Sequence, residues 1–104
     1  MYIMDGNTDI TSAGTAAQLS NTKDKVAYLR FYGEGGSGTV WVGSSTVDNS
    51  PARDIGVAVA SVGAIGTAFE INFKELTGGT VRFDQIYGNA DTNGNNVVWF
   101  ALCE

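Results

Sequence analysis

Few side chains in this sequence could carry out acid–base or covalent chemistry. There is no histidine, so the commonest general base is missing, and the single cysteine, Cys103, sits beside the last residue without one. Eleven Asp and Glu residues could in principle supply an acid/base pair, yet they are dispersed over turn-forming and alternating segments and no spacing singles out two of them. Asp84 reads as a turn or capping carboxylate ahead of Ile86 and Tyr87. One cysteine and no histidine cannot assemble a zinc site or an internal disulfide. No catalytic, cofactor-binding or metal-ligating residue is expected, and the chain reads as a non-enzyme.

Two motifs imitate ligand sites. Gly33-Glu34-Gly35-Gly36-Ser37-Gly38 fits the G-x-G-x-x-G dinucleotide fingerprint, which requires a following helix whose N-terminus receives the pyrophosphate. Here Thr39-Val40-Trp41-Val42 continues as a strand, and Glu34 places a negative charge where phosphate would lie, so the stretch reads as a hairpin loop. Asp91-Thr92-Asn93-Gly94-Asn95 opens like a calcium loop, but the sixth position is Asn96 rather than Gly and the twelfth is Leu102 rather than Glu. The chemistry available there is at most that of a weak surface calcium site, and the plain reading is a turn.

The positive signal is aromatic. Tyr28, Arg30 and Tyr32 share one face of an alternating segment, with Leu29 and Phe31 on the other, and Trp41 on the next strand can join them. Tyr, Trp and Arg are the residue types of interface hot spots. Either this face is the inner one, with Arg30 stacked at its edge, or it is a partner-binding surface.

The elements that position these residues follow from periodicity. Residues 26–32 alternate with period two, residues 39–42 repeat the pattern, and the glycine-rich loop between them suggests a central β-hairpin. Residues 1–22 are small and polar, with short strands expected at 2–4 and 15–19, and read as an N-terminal arm or edge segment ahead of a sandwich domain spanning 23–104. A turn is expected at residues 48–51 and a strand of small residues over 55–62. In residues 68–76 Phe69, Ile71 and Phe73 point one way, which predicts an amphipathic strand with those three in the core. Residues 89–96 read as a polar hairpin turn on Asn93-Gly94, and residues 97–102, apolar on both faces, as a central strand covered on both sides. About eight short strands and no convincing helix give an all-β, single-domain antiparallel β-sandwich or jelly roll.

Composition narrows the partners. A hydrophobic content of 43% with only 16% charged residues is too apolar for disorder and, over 104 residues, suffices for one small core. Net charge is −5, and the six basic residues (Lys23, Lys25, Arg30, Arg53, Lys74, Arg82) are scattered, which argues against nucleic-acid binding. The longest apolar run, residues 97–103, is too short to span a bilayer, so no membrane partner is expected. A glycine-rich domain of this size is expected to gain from association with copies of itself or with a larger surface.

The order of segments resembles a known class. Gly14-Thr15-Ala16-Ala17-Gln18-Leu19-Ser20, then Gly38-Thr39-Val40-Trp41-Val42-Gly43-Ser44-Ser45, then Phe83-Asp84-Gln85-Ile86-Tyr87-Gly88 before Val97-Val98-Trp99-Phe100 are similar to the strand and turn segments of small tailed-bacteriophage virion proteins. Members carry a Pro-Gly turn where this chain has Gly63-Ala64-Ile65-Gly66. The resemblance implies a non-enzymatic structural protein, foremost a capsid decoration (cement) protein bound to the major capsid protein. It would be made in the host cytoplasm and reside on the capsid surface as a homo-oligomer, with a trimer the favoured order. It would clamp shell subunits by sheet edges and the N-terminal arm. The alternatives are a tail or fibre component, or a small carbohydrate- or receptor-binding domain with Tyr28, Tyr32 or Trp41 stacking on a sugar.

Overall fold

The computed structural model describes residues 1–47, 58–61 and 68–104. The turn expected at residues 48–51, the ends of the strand expected over 55–62 and the stretch 63–66 lie outside the described residues.

Nine strands are present among the described residues: β1 (Tyr2–Ile10), β2 (Ala17–Gln18), β3 (Lys25–Glu34), β4 (Thr39–Gly43), β5 (Ala58–Ser61), β6 (Phe69–Asn72), β7 (Val81–Arg82), β8 (Tyr87–Ala90) and β9 (Asn95–Cys103). One sheet has the order β1-β9-β3-β6, with β7 alongside β3 beyond β6; the other has the order β2-β8-β4-β5. Every pairing is antiparallel. With β7 set aside, first pairs with last, second with second-last, and inward to β4 with β5. That nesting is a ribbon of paired strands rolled into two sheets, the jelly-roll member of the sandwich class.

The core lies between the sheets. Leu29 and Phe31 of β3 and Val97, Trp99, Ala101 and Cys103 of β9 meet Val40 and Val42 of β4, with Phe83 and Ile86 closing one side. Each fully buried large side chain, such as Phe31 or Phe83, contributes roughly 1.5–3 kcal/mol. Trp99 stacks edge-on to Phe83 at 4.7 Å and its Nε1–H donates to Thr8 Oγ1 at 3.0 Å. The ring has room only because residue 6 is glycine: a Cβ there would lie 2.6 Å from Trp99 Cζ2.

Local sequence misleads about pairing in two places. Residues 25–43 do not form a hairpin, because β3 and β4 belong to opposite sheets. The glycine loop instead crosses the gap of about 10 Å between sheets, helped by positive φ at Gly35 and Gly38. It is latched by Asn95 Nδ2, which donates to the Ser37 carbonyl at 2.9 Å. The Asn93-Gly94 turn likewise joins strands of opposite sheets, with Gly94 at φ 82°. It is shorter than the expected loop, since Asn89 and Asn95 are buried strand residues.

The amphipathic segment is also cut short. Its strand ends at Asn72, whose side chain accepts from the Glu75 N–H at 3.0 Å and starts a helix, α1 (Phe73–Thr77), which Gly78 closes in left-handed conformation. Phe73 is accordingly only partly buried, while Phe69 at the sheet margin remains 44% exposed. Residues 1–22 are woven into both sheets: β1 pairs with β9 over nine residues and β2 pairs with β8.

Candidate functional site

The residues singled out by their chemistry lie mostly on one surface, the outer face of the β1-β9-β3-β6 sheet. β3 would send Val26 to the same side as Tyr28 under strict alternation. A bulge between Val26 and Tyr28 resets the phase. Val26, Ala27, Leu29 and Phe31 all reach the core, while Tyr28, Arg30 and Tyr32 point outward. The inner-face alternative for these three is therefore set aside.

Register and pleat arrange this face in rows across the strands. Asp5, Phe100, Arg30 and Glu70 form one; Ile3, Leu102, Tyr28 and Asn72 form the next; Asn7, Val98 and Tyr32 form the third. The middle strand thus presents Val98, Phe100 and Leu102, with Phe100 37% exposed. β9 is central, as its composition requires, but its outer face is not covered by the rest of the described chain. A groove of about 460 Å³ runs between Asp5, Arg30, Tyr32, Ala68, Val98 and Phe100.

The electrostatics of the face are simple. Arg30 and Asp5 make no ion pair or side-chain hydrogen bond among the described residues. Burial pushes the Tyr28 phenol above its ordinary range, and the neighbouring Glu70 carboxylate adds to the effect. Asp5 and Glu70 stand three strands apart, about 14 Å between backbones at ~4.8 Å per strand.

Trp41 does not join this site. It lies on β4 in the other sheet, is 3% exposed, and its Nε1–H has no partner among the described residues. Sequence adjacency suggested a shared surface; the sheet crossing at the glycine loop separates them. Asp5 and Phe100, which complete the outward face, were not singled out by sequence, because β1 and β9 meet β3 only through pairings remote along the chain.

The two ligand-like loops have structural work in place. Asp91 Oδ1 accepts from the Thr39 N–H at 3.0 Å, and a Cβ at Gly38 would lie 2.2 Å from that same oxygen. Asp84 sits in a 3-10 turn (Phe83–Gln85), where Arg82 holds it through two bonds, Nε to Oδ1 at 3.1 Å and Nη2 to Oδ2 at 2.6 Å. Arg82 keeps that carboxyl below the usual carboxylate range. Cys103 is fully buried, and desolvation pushes its thiol upward, away from the thiolate a nucleophile needs.

The arrangement is an exposed face with an apolar stripe, aromatic flanks and two charges, Asp5 and Arg30, that are unpaired among the described residues. No protein-family model and no curated protein matches the chain.

Proposed function

We propose that the protein is a non-enzymatic structural subunit of a tailed-phage virion, of the capsid decoration type, which binds the major capsid protein on the outer shell and stabilises it. The observation that carries this reading is the β1 edge. Of the other sheet edges, β2 has two residues and the β6/β7 margin is interrupted by α1, and β5 has four among the described residues. β1 runs nine residues in unbroken register with β9 and pairs with no strand on its other side among the described residues. It has no bulge, proline or lysine, and the charges of Asp5 and Asp9 are the one edge-blunting device it carries. Such an edge accepts a strand from a neighbouring protein through main-chain hydrogen bonds. The jelly-roll architecture, shared by viral capsid and lectin domains, and the resemblance of the strand and turn segments support the same reading. A subunit that binds only the assembled shell opposes its opening by mass action.

The test is the copy number of the chain in purified particles, by quantitative mass spectrometry against the shell protein. Near parity with the shell, together with DNA release at lower temperature from particles lacking the protein, is the expected result. A handful of copies moves the protein to tail or fibre, and absence from particles ends the proposal.

The groove beside Phe100 favours a second reading, a carbohydrate- or receptor-binding domain. Tyr32 and Phe100 can stack on a sugar ring while Asp5 and Arg30 bond its hydroxyls. The buried Trp41 cannot take part. Calorimetric titration with host polysaccharides tests this; heats no larger than dilution with every glycan, and equal for wild type and Tyr32→Ala, would remove it.

A further inference from the structure

We infer that the outer face of the β1-β9-β3 sheet is covered in solution by the same face of a second copy, related by a two-fold axis running parallel to β9 above Phe100. The inference goes beyond the virion reading and stands whether or not the protein rides on a particle.

The charge pattern selects this partner and this axis. Asp5 and Arg30 flank Phe100 in one row, one strand to either side, and neither is paired among the described residues. A two-fold parallel to β9 exchanges the flanks and keeps the rows. Asp5 then faces Arg30 of the second copy and Arg30 faces its Asp5, while the two Phe100 rings meet at the centre. In the neighbouring rows Ile3 meets Tyr28 and Asn7 meets Tyr32, and the Val98 and Leu102 side chains pack on their own copies. A two-fold running across the strands would instead set Arg30 on Arg30 and Asp5 on Asp5. Like charges oppose that arrangement. In the row beyond Tyr32, Asp9 and Glu34 would approach each other, but packed sheets cross at about 30°, which splays the ends of the contact apart.

A face that meets itself makes an isologous contact, which closes as a dimer; a three-fold ring needs two different surfaces. The contact therefore favours a dimer over the trimer expected from sequence. Its size sets its strength. Three strands at ~4.8 Å spacing and five residues at ~3.4 Å, with side-chain margins, cover roughly 400 Å² per copy. Two copies bury about 800 Å², below the range of stable interfaces and within that of weak, transient ones, so dissociation in the range of about 10–100 µM is expected.

Sedimentation equilibrium of the protein between about 1 and 500 µM (about tenfold below and fivefold above that range) tests the inference. The expected result is a shift from 10.9 kDa toward twice that mass. Asp5→Arg alone and Arg30→Asp alone should each weaken self-association at least tenfold. Mixed in equal amounts, the two variants should form a one-to-one heterodimer within about threefold of wild-type affinity, since each then supplies the charge the other lacks. The double variant should dimerise with itself, and Phe100→Ala should weaken every combination. Circular dichroism checks that each variant keeps its β fold. A wild type that stays monomeric to 500 µM, a trimer, single variants that dimerise normally, or a mixture that fails to recover would each overturn the inference.

Discussion

Asn89→Ala should be the most damaging polar truncation in the protein. Asn89 is fully buried in β8. Its Nδ2 donates to the Val47 carbonyl at 2.9 Å, and its Oδ1 accepts from the N–H of Gly14 at 3.0 Å and of Ala90 at 2.8 Å. One amide thus ties β8 to two connecting segments. Truncation removes side-chain bonds worth roughly 1 kcal/mol net each and leaves the buried Val47 carbonyl without its donor, which costs about 1–3 kcal/mol more. The Gly14 N–H keeps a 3.2 Å bond to the Ala90 carbonyl, which moderates the loss. With the Gly14 bond discounted, the sum is about 3–5 kcal/mol, equivalent to a fall in Tm of roughly 15–25 °C for a domain of this size. Urea unfolding followed by tryptophan fluorescence measures it, with an unchanged slope showing that the two states stay comparable. Asn89→Asp is the companion. Its ionised carboxylate keeps the acceptor but repels the Val47 carbonyl, so at neutral pH it should cost at least as much as alanine. Burial raises the folded-state pKa of that new carboxyl, so the protonated form is favoured in the native state. It regains a donor as pH falls, and the deficit against wild type should narrow toward pH ~4. An alanine variant within about 0.5 kcal/mol of wild type would refute the reasoning.

Five other substitutions follow from the same structure. Gly6→Ala drives a methyl to 2.6 Å from Trp99 Cζ2, a ring already held by Thr8 and Phe83. It should cost about 1–3 kcal/mol in thermal or urea unfolding, whereas Gly36→Ala, with open space around it, should stay within about 0.5 kcal/mol. The Tyr2 hydroxyl donates to Asp24, and that bond pushes the phenol up to about 12, above an unfolded value near 10. Its contribution is fully present below pH ~10 and is lost between pH ~10 and ~12, so Tyr2→Phe should have a shallower alkaline limb in Tm against pH than wild type; superimposable limbs would contradict this. Trp99→Phe loses the bond to Thr8 Oγ1 and should cost about 2–3 kcal/mol, whereas Trp41→Phe removes a buried N–H that has no partner among the described residues, and that gain offsets lost packing to leave a change within about 1 kcal/mol. The reverse order in denaturant melts would show that the Nε1 environments are misassigned.

Strand type and face were legible where alternation is local. The period-two pattern of residues 28–32 identifies Tyr28, Arg30 and Tyr32 as one face, and the doubly apolar residues 97–102 identify β9 as central. Pairing was not legible. A glycine-containing loop between two strands has the same composition whether it turns back within a sheet or crosses to the other one. What decides between these is β9, some seventy residues away, which takes the side of β3 that a hairpin would have used. The same remoteness hid Asp5 and Phe100 from the site and falsely recruited Trp41. The bulge at Ala27 left no mark either, since Val26 and Ala27 suit a core or a margin equally well. In residues 68–76 the alternation was real but a capping side chain at Asn72 won over it after four strand residues.

The two central strands show why the open face calls for a partner. A strand with solvent on one side needs apolar residues only at every second position, as β1 shows with Asp5, Asn7 and Asp9 facing outward. β4 and β9 are both apolar on both faces: Val40, Trp41 and Val42 in one, and Val97 through Leu102 in the other. The fold buries the outward residue of β4, since Trp41 is 3% exposed. It does not do so for β9, whose Phe100 is 37% exposed with Ile3 beside the stripe at 63%. The composition of β9 is thus that of a strand covered twice, and the described residues cover it once. No described residue supplies the second cover, and in the dimer proposed above a second copy would, with the opposite charges of Asp5 and Arg30 on either side of Phe100 meeting their complements.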